Sequence, residues 1–279
     1  MSLKLMYITN RPEIAEIAVN AGVDRVFVDL ETYGKVLRQG GMNTVQSNHT
    51  IADIVTMRKS LPTATILARC NPTHDATSTY TATEEEIDDI VAAGADIIML
   101  PYFKTVEEVA RFLRAVNGRA RTMLLFETPE SLEKVDEILD LPGIDEVFVG
   151  LNDLSLGYGR RFMFSMLAEG KVEYLCNKFR ERGYPYGFGG IAGLGLHVML
   201  PAEKIIMEHY RLGSQAVILA RSFCDTQIRN DFENIRRVFN EGVKQIRLYE
   251  SFCAEHTELH EDNRKEVCEI CDCIEGAPR

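Results

Sequence analysis

Two rhythms of apolar residues alternate along this chain. Short runs rich in β-branched and aromatic residues occur at Leu3–Thr9, Arg25–Leu30, Thr65–Cys70, Ile97–Pro101, Arg121–Thr128, Glu146–Gly150, Pro185–Gly190 and Ala216–Ala220. Runs of this length and composition predict strands. Between them, apolar positions return every three or four residues, which predicts helices. "RPEIAEIAVNAG" opens with Pro12 in the first turn and stops at Gly22, the usual asymmetry of helix ends. "TEEEIDDIVAAG" has capping-box spacing from Thr83 to Glu86 and a stop at Gly94. "TVEEVARFLRAVNG" and "TPESLEKVDEIL" repeat the scheme. Eight strand–helix units in about 250 residues predict an α/β fold, a (β/α)8 TIM barrel. A doubly wound open sheet uses the same βαβ units, but the count of eight favours the barrel.

Two segments break the rhythm. "ETYGKVLRQGGMNTVQSNHT", after the second strand, is polar and glycine-containing, and long connections of that kind in a compact domain are often functional. The second is the tail after about Tyr249. It predicts a helical, acidic, Cys-rich C-terminal extension over residues 249–279, following a barrel over residues 1–248. The tail either caps a neighbour or lies loose in solvent.

Composition narrows the function classes. Hydrophobic residues make up 46% and charged residues 26%, as in an ordinary globular protein. The net charge of −11 and the lack of a basic block argue against nucleic acid. No run of 18 apolar residues is present, so no membrane partner is expected, and "MSLKLMYITN" reads as a strand and not a signal peptide. Seven scattered cysteines suit a reduced, cytoplasmic setting. Cys268, Cys271 and Cys273, with Cys253, His256 and His260 upstream, hint at a soft-metal cluster, but exposed reduced thiols on a flexible tail are the simpler expectation.

In a barrel the chemistry sits at the carboxyl ends of the strands. The second strand ends on Asp29 and Glu31, the third on Arg69 and Asn71, the fifth on Glu127, the sixth on Asn152 and Asp153, and the eighth on Arg221 and Ser222. Each acid alone reads as a helix cap. Together they place four carboxylates on one face, where mutual repulsion calls for a cation. A hard divalent ion such as Mg²⁺ takes one or two carboxylates and keeps its other positions for water and substrate. Glu127 and Asp153 are the expected pair, on neighbouring strands, and Arg69 offers a planar fork for a substrate carboxylate. "GFGGIAGLG", expected after the seventh strand, is either a backbone phosphate cradle or a tight loop.

The stretches "GVDRVFVDLE", "LARCNP", "GADIIMLPYFKTVEEV", "LLFETPESLEKVDEIL" and "IDEVFVGLNDLSLGYG" resemble the HpcH/HpaI aldolase and citrate lyase β-subunit family of the phosphoenolpyruvate/pyruvate superfamily. The resemblance covers about residues 3 to 225. It implies a divalent metal (Mg²⁺, Mn²⁺ or a similar ion) on Glu127 and Asp153, and a small 2-oxo acid held through its carboxylate by Arg69, with Gly150, Leu151 and Asn152 alongside. It implies that Asp29 and Glu31 hold metal-bound water or orient Arg69. It also implies carbon–carbon cleavage through a pyruvate-type enolate, and a homo-oligomer, a trimer or hexamer. Two positions depart from the family pattern. Thr32 stands where the aldolase branch has His and the citrate lyase branch an acid, and Leu151 stands where Pro is usual. The base is therefore unassigned, with His49 a candidate by residue type. The reading is a metal-dependent (class II) aldolase or carbon–carbon lyase. The alternatives are a CoA-thioester lyase of the malyl-CoA or citryl-CoA type and a non-catalytic metal- or ligand-binding barrel in a biosynthetic pathway.

Overall fold

Strand residues that alternate between a barrel interior and a surrounding layer of helices are apolar on both faces, and these strands are. In the computed structural model, which describes residues 2–34, 48–226 and 231–277, they are β1 (Lys4–Ile8), β2 (Arg25–Asp29), β3 (Thr65–Arg69), β4 (Ile97–Leu100), β5 (Arg121–Phe126), β6 (Glu146–Val149), β7 (Tyr186–Ile191) and β8 (Ala216–Leu219). All pair in parallel in sequence order, and β8 closes on β1. This is the expected (β/α)8 barrel, and each strand lies within a residue or two of its predicted span. Met6, Phe27, Leu67, Ile97, Met99, Met123, Leu125 and Phe148 fill the interior. The alternate residues, such as Val26, Val28, Ile66, Ala68, Leu124 and Phe126, pack outward against the helices.

The helices are α1 (Pro12–Asn20), α2 (Ile51–Ser60), α3 (Thr83–Ala93), α4 (Val106–Val116), α5 (Pro129–Glu133), α6 (Val135–Leu139), α7 (Leu151–Gly157), α8 (Ser165–Ala168), α9 (Lys171–Glu181), α10 (Ala202–Leu212), α11 (Phe232–Glu255) and α12 (His260–Gly276). Most of the polar segment from Glu31 to Thr50 lies outside the described residues.

Several local expectations change. Thr83 and Glu86 form no capping box: the Thr83 hydroxyl exchanges hydrogen bonds with the backbone of His74, and Glu86 accepts from Asn71 instead. "TPESLEKVDEIL" forms two short helices that meet at Lys134. The glycines of "GFGGI" lie within β7, not after it. A Cβ on Gly187 would stand 2.4 Å from the carbonyl oxygen of Ala216, so the residue is small because β8 is close.

The boundary expected at 248/249 falls inside α11, which runs unbroken from Phe232 to Glu255. The tail beyond it does not lie loose in solvent. α12 packs on α8 and α10 and buries Asn263, Val267 and Cys271. Cys253 is buried on α11; on α12 Cys271 is buried, Cys268 half-buried and Cys273 exposed, because apolar positions four apart make one stripe that faces the barrel. The thiols therefore do not form an exposed set. Among the described residues, no three His, Cys, Asp or Glu side chains gather as a metal-holding group, and no helix is long and apolar enough to cross a membrane.

Candidate active site

The pleat of each strand brings every second residue into the barrel, and at the carboxyl ends these residues are polar. Asp29 ends β2 opposite Arg69, which ends β3. Glu127 follows β5. Gly150 follows β6 and starts α7, which carries Asp153 in its first turn. Asp29, Glu31, Glu127 and Asp153 are all buried.

Arg69 is the centre of the arrangement. Its Nε and Nη2 each donate to a different oxygen of Asp29 at 2.8 Å, and Nη1 lies 3.3 Å from Glu31 Oε2. A guanidinium has five N–H bonds. This fork engages one edge and leaves hydrogens on both Nη atoms for a further oxygen anion. Burial alone would loosen the proton, but Asp29, Glu31 and Glu127 outweigh it and hold the pKa well above the usual value. Arg69 is therefore a fixed cation, pre-oriented by two carboxylates.

Glu127 is seated by backbone. Its Oε1 accepts the N–H of Tyr102 at 3.0 Å. Tyr102 has φ of 49°, a left-handed conformation that costs a residue with a Cβ roughly 1–2 kcal/mol. On the other side stands Gly150. A Cβ there would sit 2.4 Å from Glu127 Oε2 and 2.8 Å from Glu127 Cβ. The glycine at the end of β6 thus makes room for Glu127 itself. At the far end of α7, a Cβ on Gly157 would sit 2.6 Å from Pro129 Cδ. Two glycines press α7 against the end of β5, and Asp153 lines the same cavity as Glu127 as a result.

That cavity, of about 250 Å³, is walled by Arg69, Glu127, Gly150, Leu151, Asn152 and Asp153 over a floor that includes Phe27 and Phe148. A second cavity, of about 380 Å³, adjoins it across Arg69 and holds Asp29, His49 and Arg221. His49 Nδ1 accepts the backbone N–H of Asp29 at 3.0 Å. With Nδ1 engaged, the neutral ring carries its proton on Nε2 and presents a donor. Acting as a base, His49 would have to give up that bond.

Sequence reasoning noted Asn71 only as a strand end and gave it no role. Its Oδ1 accepts the backbone N–H groups of Thr32 and Tyr33 at 2.9 and 2.8 Å, and its Nδ2 donates to Glu86 Oε1 at 2.8 Å. Burial raises the pKa of Glu86. Asn71 therefore fixes the chain just past Glu31, one of the two groups that aim Arg69. The only sequence signal was its position two residues beyond Arg69. Tyr102, the backbone donor to Glu127, gave no signal at all, because any residue supplies an N–H.

The donor chemistry of this cavity fits a hard divalent ion. Glu127, just past β5, and Asp153, in the first turn of α7, both line it with carboxylate oxygens. With two protein carboxylates the ion would keep positions for water and substrate.

The model of the HpcH/HpaI aldolase/citrate lyase family matches residues 4–164. Among solved structures, an HpcH/HpaI aldolase from Desulfitobacterium hafniense is 17% identical, covering 88% of this chain and 93% of its own, with a TM-score of 0.61. The citrate synthase SbnG is 14% identical, covering 85% and 94%, with a TM-score of 0.58. At these identities the likeness is one of barrel fold. A pyruvate kinase from Methylorubrum extorquens is 34% identical over 77 residues, 26% of this chain and 16% of that enzyme, so this chain spans only a small part of that relative.

Proposed function

Because the chain belongs to the HpcH/HpaI aldolase/citrate lyase family, we propose that it is a metal-dependent carbon–carbon lyase or aldolase that works through the enolate of a small 2-oxo acid. The observation that supports this most is one cavity lined by both a pre-oriented Arg69 and the carboxylate pair Glu127 and Asp153. An anion clamp beside a divalent-cation site suits a reaction in which negative charge grows on an oxygen.

In this reading Glu127 and Asp153 hold the divalent ion, which supplies Lewis acidity toward the 2-oxo acid oxygen when bound. The free N–H edge of Arg69 takes the substrate carboxylate. The backbone of Gly150, Leu151 and Asn152 borders that end of the substrate. Asp29 and Glu31 keep Arg69 aimed and charged. His49 lines the adjoining cavity with its Nδ1 on the Asp29 N–H, and the hydroxyl proton leaves through bound water to bulk solvent. Phe27, Met99, Leu125 and Phe148 form the apolar floor, which lowers the local dielectric and strengthens each charge contact.

The test is exchange of the C3 protons of pyruvate, followed by NMR with Mg²⁺ or Mn²⁺ present. Exchange is expected, and Glu127→Ala and Asp153→Ala should abolish both exchange and metal binding. No exchange with any divalent metal would overturn the reading. Metal affinity retained in both variants would overturn the ligand assignment.

A further inference from the structure

The last turn of α12 holds the segment that carries Met163, a residue lining the cavity of Arg69, Glu127 and Asp153. Glu275 Oε1 accepts the backbone N–H of Arg161 at 3.0 Å, the N–H of Phe162 at 2.9 Å and the hydroxyl of Ser165 at 2.8 Å. Arg161 answers from the other side. Its Nη2 donates to the carbonyl oxygens of Ile274 and Ala277 at 3.0 and 2.8 Å, and to that of Glu275. Those carbonyls belong to the helix end, where no following turn supplies donors. The two sides satisfy each other: a carboxylate ties down a loop, and that loop's arginine caps the helix.

The position of the tied loop gives the clasp its meaning. It leaves α7, the helix that carries Asp153, and its first N–H groups bond back to α7: Tyr158 to Leu154, Gly159 to Leu156 and Arg160 to Ser155. The next two N–H groups, of Arg161 and Phe162, go to Glu275. Met163 comes next, and it lines the cavity shared by Arg69, Glu127 and Asp153. Phe162 and Phe164, on either side of it, are buried and meet edge-to-face with centroids 5.4 Å apart. Met163 therefore sits on a strap held at one end by α7 and at the other by a residue more than a hundred positions away in sequence.

The rest of α12 explains why it can serve as an anchor. Val267 and Cys271 are buried, and Asn263 Nδ2 donates to Glu208 Oε1 and to the carbonyl of Lys204, both at 3.0 Å. The helix packs on both α8 and α10, so Glu275 stands at a set place. Its pKa lies below the usual carboxylate value, chiefly because the Phe162 N–H and the Ser165 hydroxyl donate to it, so it is ionised across the neutral range.

We infer that Glu275 is a positioning residue for the substrate cavity: through the strap of residues 161–165 it fixes Met163 and the mouth of the site. The inference rests on reading that cavity as the one that binds the 2-oxo acid. It makes the acidic, Cys-rich extension part of the site's scaffold.

The test compares full-length Glu275→Ala and Glu275→Gln. The amide keeps an acceptor oxygen for the two N–H groups and the hydroxyl, and the methyl group keeps none. In the pyruvate exchange assay, Glu275→Ala should raise the half-saturating pyruvate concentration by about 10-fold with little change in maximal rate, since small misplacements of a binding wall are costly. Glu275→Gln should stay within about 2-fold of the parent. In parallel, the methyl resonance of Met163 in methyl-labelled protein, assigned by its loss in Met163→Leu, should shift and broaden in Glu275→Ala and not in Glu275→Gln. An unmoved Met163 resonance in Glu275→Ala overturns the inference whether or not the parent exchanges pyruvate. So does a lowered melting temperature with half-saturation unchanged. A parent that exchanges no pyruvate counts against the enolate reading instead, and the Met163 resonance then judges Glu275 alone.

Discussion

The two ends of this barrel are built from the same residue types and do opposite things. At the amino ends of the strands, Arg25 and Glu146 reach across from β2 and β6 and pair through two hydrogen bonds of 2.7 and 2.8 Å. Arg121 closes on the same carboxylate from β5. At the carboxyl ends Arg69 makes the same two-pronged contact with Asp29. The bottom set has two arginines around one acid; Arg25 and Glu146 are buried and Arg121 is exposed. At the top, Arg69 stands among four acids and faces a cavity, and Arg221 lines the cavity next to it. An Arg–carboxylate fork alone is therefore not a sign of function. What distinguishes the site is the acid in excess of the arginine, together with an open face.

Removing the carboxylate of each end tests that distinction. Glu146→Ala leaves Arg25 buried without its partner, and loss of one member of a buried ion pair costs about 3–5 kcal/mol. Urea denaturation should show that loss, while the affinity for Mg²⁺ or Mn²⁺ stays at the parent value. If metal affinity falls with Glu146→Ala, the two ends are coupled and the division fails. Arg69→Lys is the matching change at the top. It keeps a charge and loses the planar fork, so pyruvate exchange should fall by about 100-fold, in the range seen when a preorganised donor is lost. Exchange within a few-fold of the parent would show that only charge matters at this position.

The sequence revealed much of the top and little of the bottom. Asp29, Arg69, Glu127 and Asp153 stand out because each interrupts an apolar rhythm at a strand end, where barrels keep their chemistry. Arg25, Arg121 and Glu146 interrupt it at strand starts, and each reads as an ordinary flanking charge until closure of the barrel brings β2 opposite β6. Pairing across a barrel depends on register and tilt, which local pattern does not encode. The packing of α12 was hidden for a related reason. Its buried stripe is short and lies in a strongly acidic helix, so composition suggested solvent. The purpose of Gly150 was half visible: the resemblance implies substrate alongside it, but only the structure shows that Glu127 packs against it.

Acid titration would blur the comparison, because a buried group at neither end also responds. His209 is fully buried, stacks on Phe188 at 3.8 Å and has its pKa pushed down to about 3 by burial. An unfolded histidine titrates near 6.5. The folded value is the lower one, so this contribution to stability is complete above about pH 6.5 and declines as the pH falls toward 3. From pH 7 to pH 5 it should remove about 2 kcal/mol, at about 1.4 kcal/mol per unit of pH below the unfolded value. Urea melts of the parent and His209→Leu at the two pH values check this. An equal pH dependence in both would place the acid sensitivity among the carboxylates of the two ends.

The smallest expected effect is the most local. Asn71→Ala removes the acceptor for the N–H groups of Thr32 and Tyr33 and the donor to Glu86. Thr32 is exposed and Tyr33 half-exposed, so water replaces part of what is lost, and stability should fall by only about 1 kcal/mol, at the low end for an unmade hydrogen bond. The effect on the site should be disproportionate. The chain past Glu31 would lose its tether, Glu31 would hold Arg69 less firmly, and half-saturation by pyruvate should rise several-fold. Asn71→Asp sharpens the point: it keeps the acceptor for both N–H groups but sets a second carboxylate against Glu86. If holding the loop is what counts, Asn71→Asp should recover the parent's half-saturation at low pH, where Glu86 is protonated most readily because burial has raised its pKa. If Asn71→Ala and Asn71→Asp lose stability equally and leave half-saturation untouched, Asn71 belongs with the Arg25–Glu146 pair as a structural group. The boundary between the two ends would then lie closer to Arg69 than its hydrogen bonds suggest.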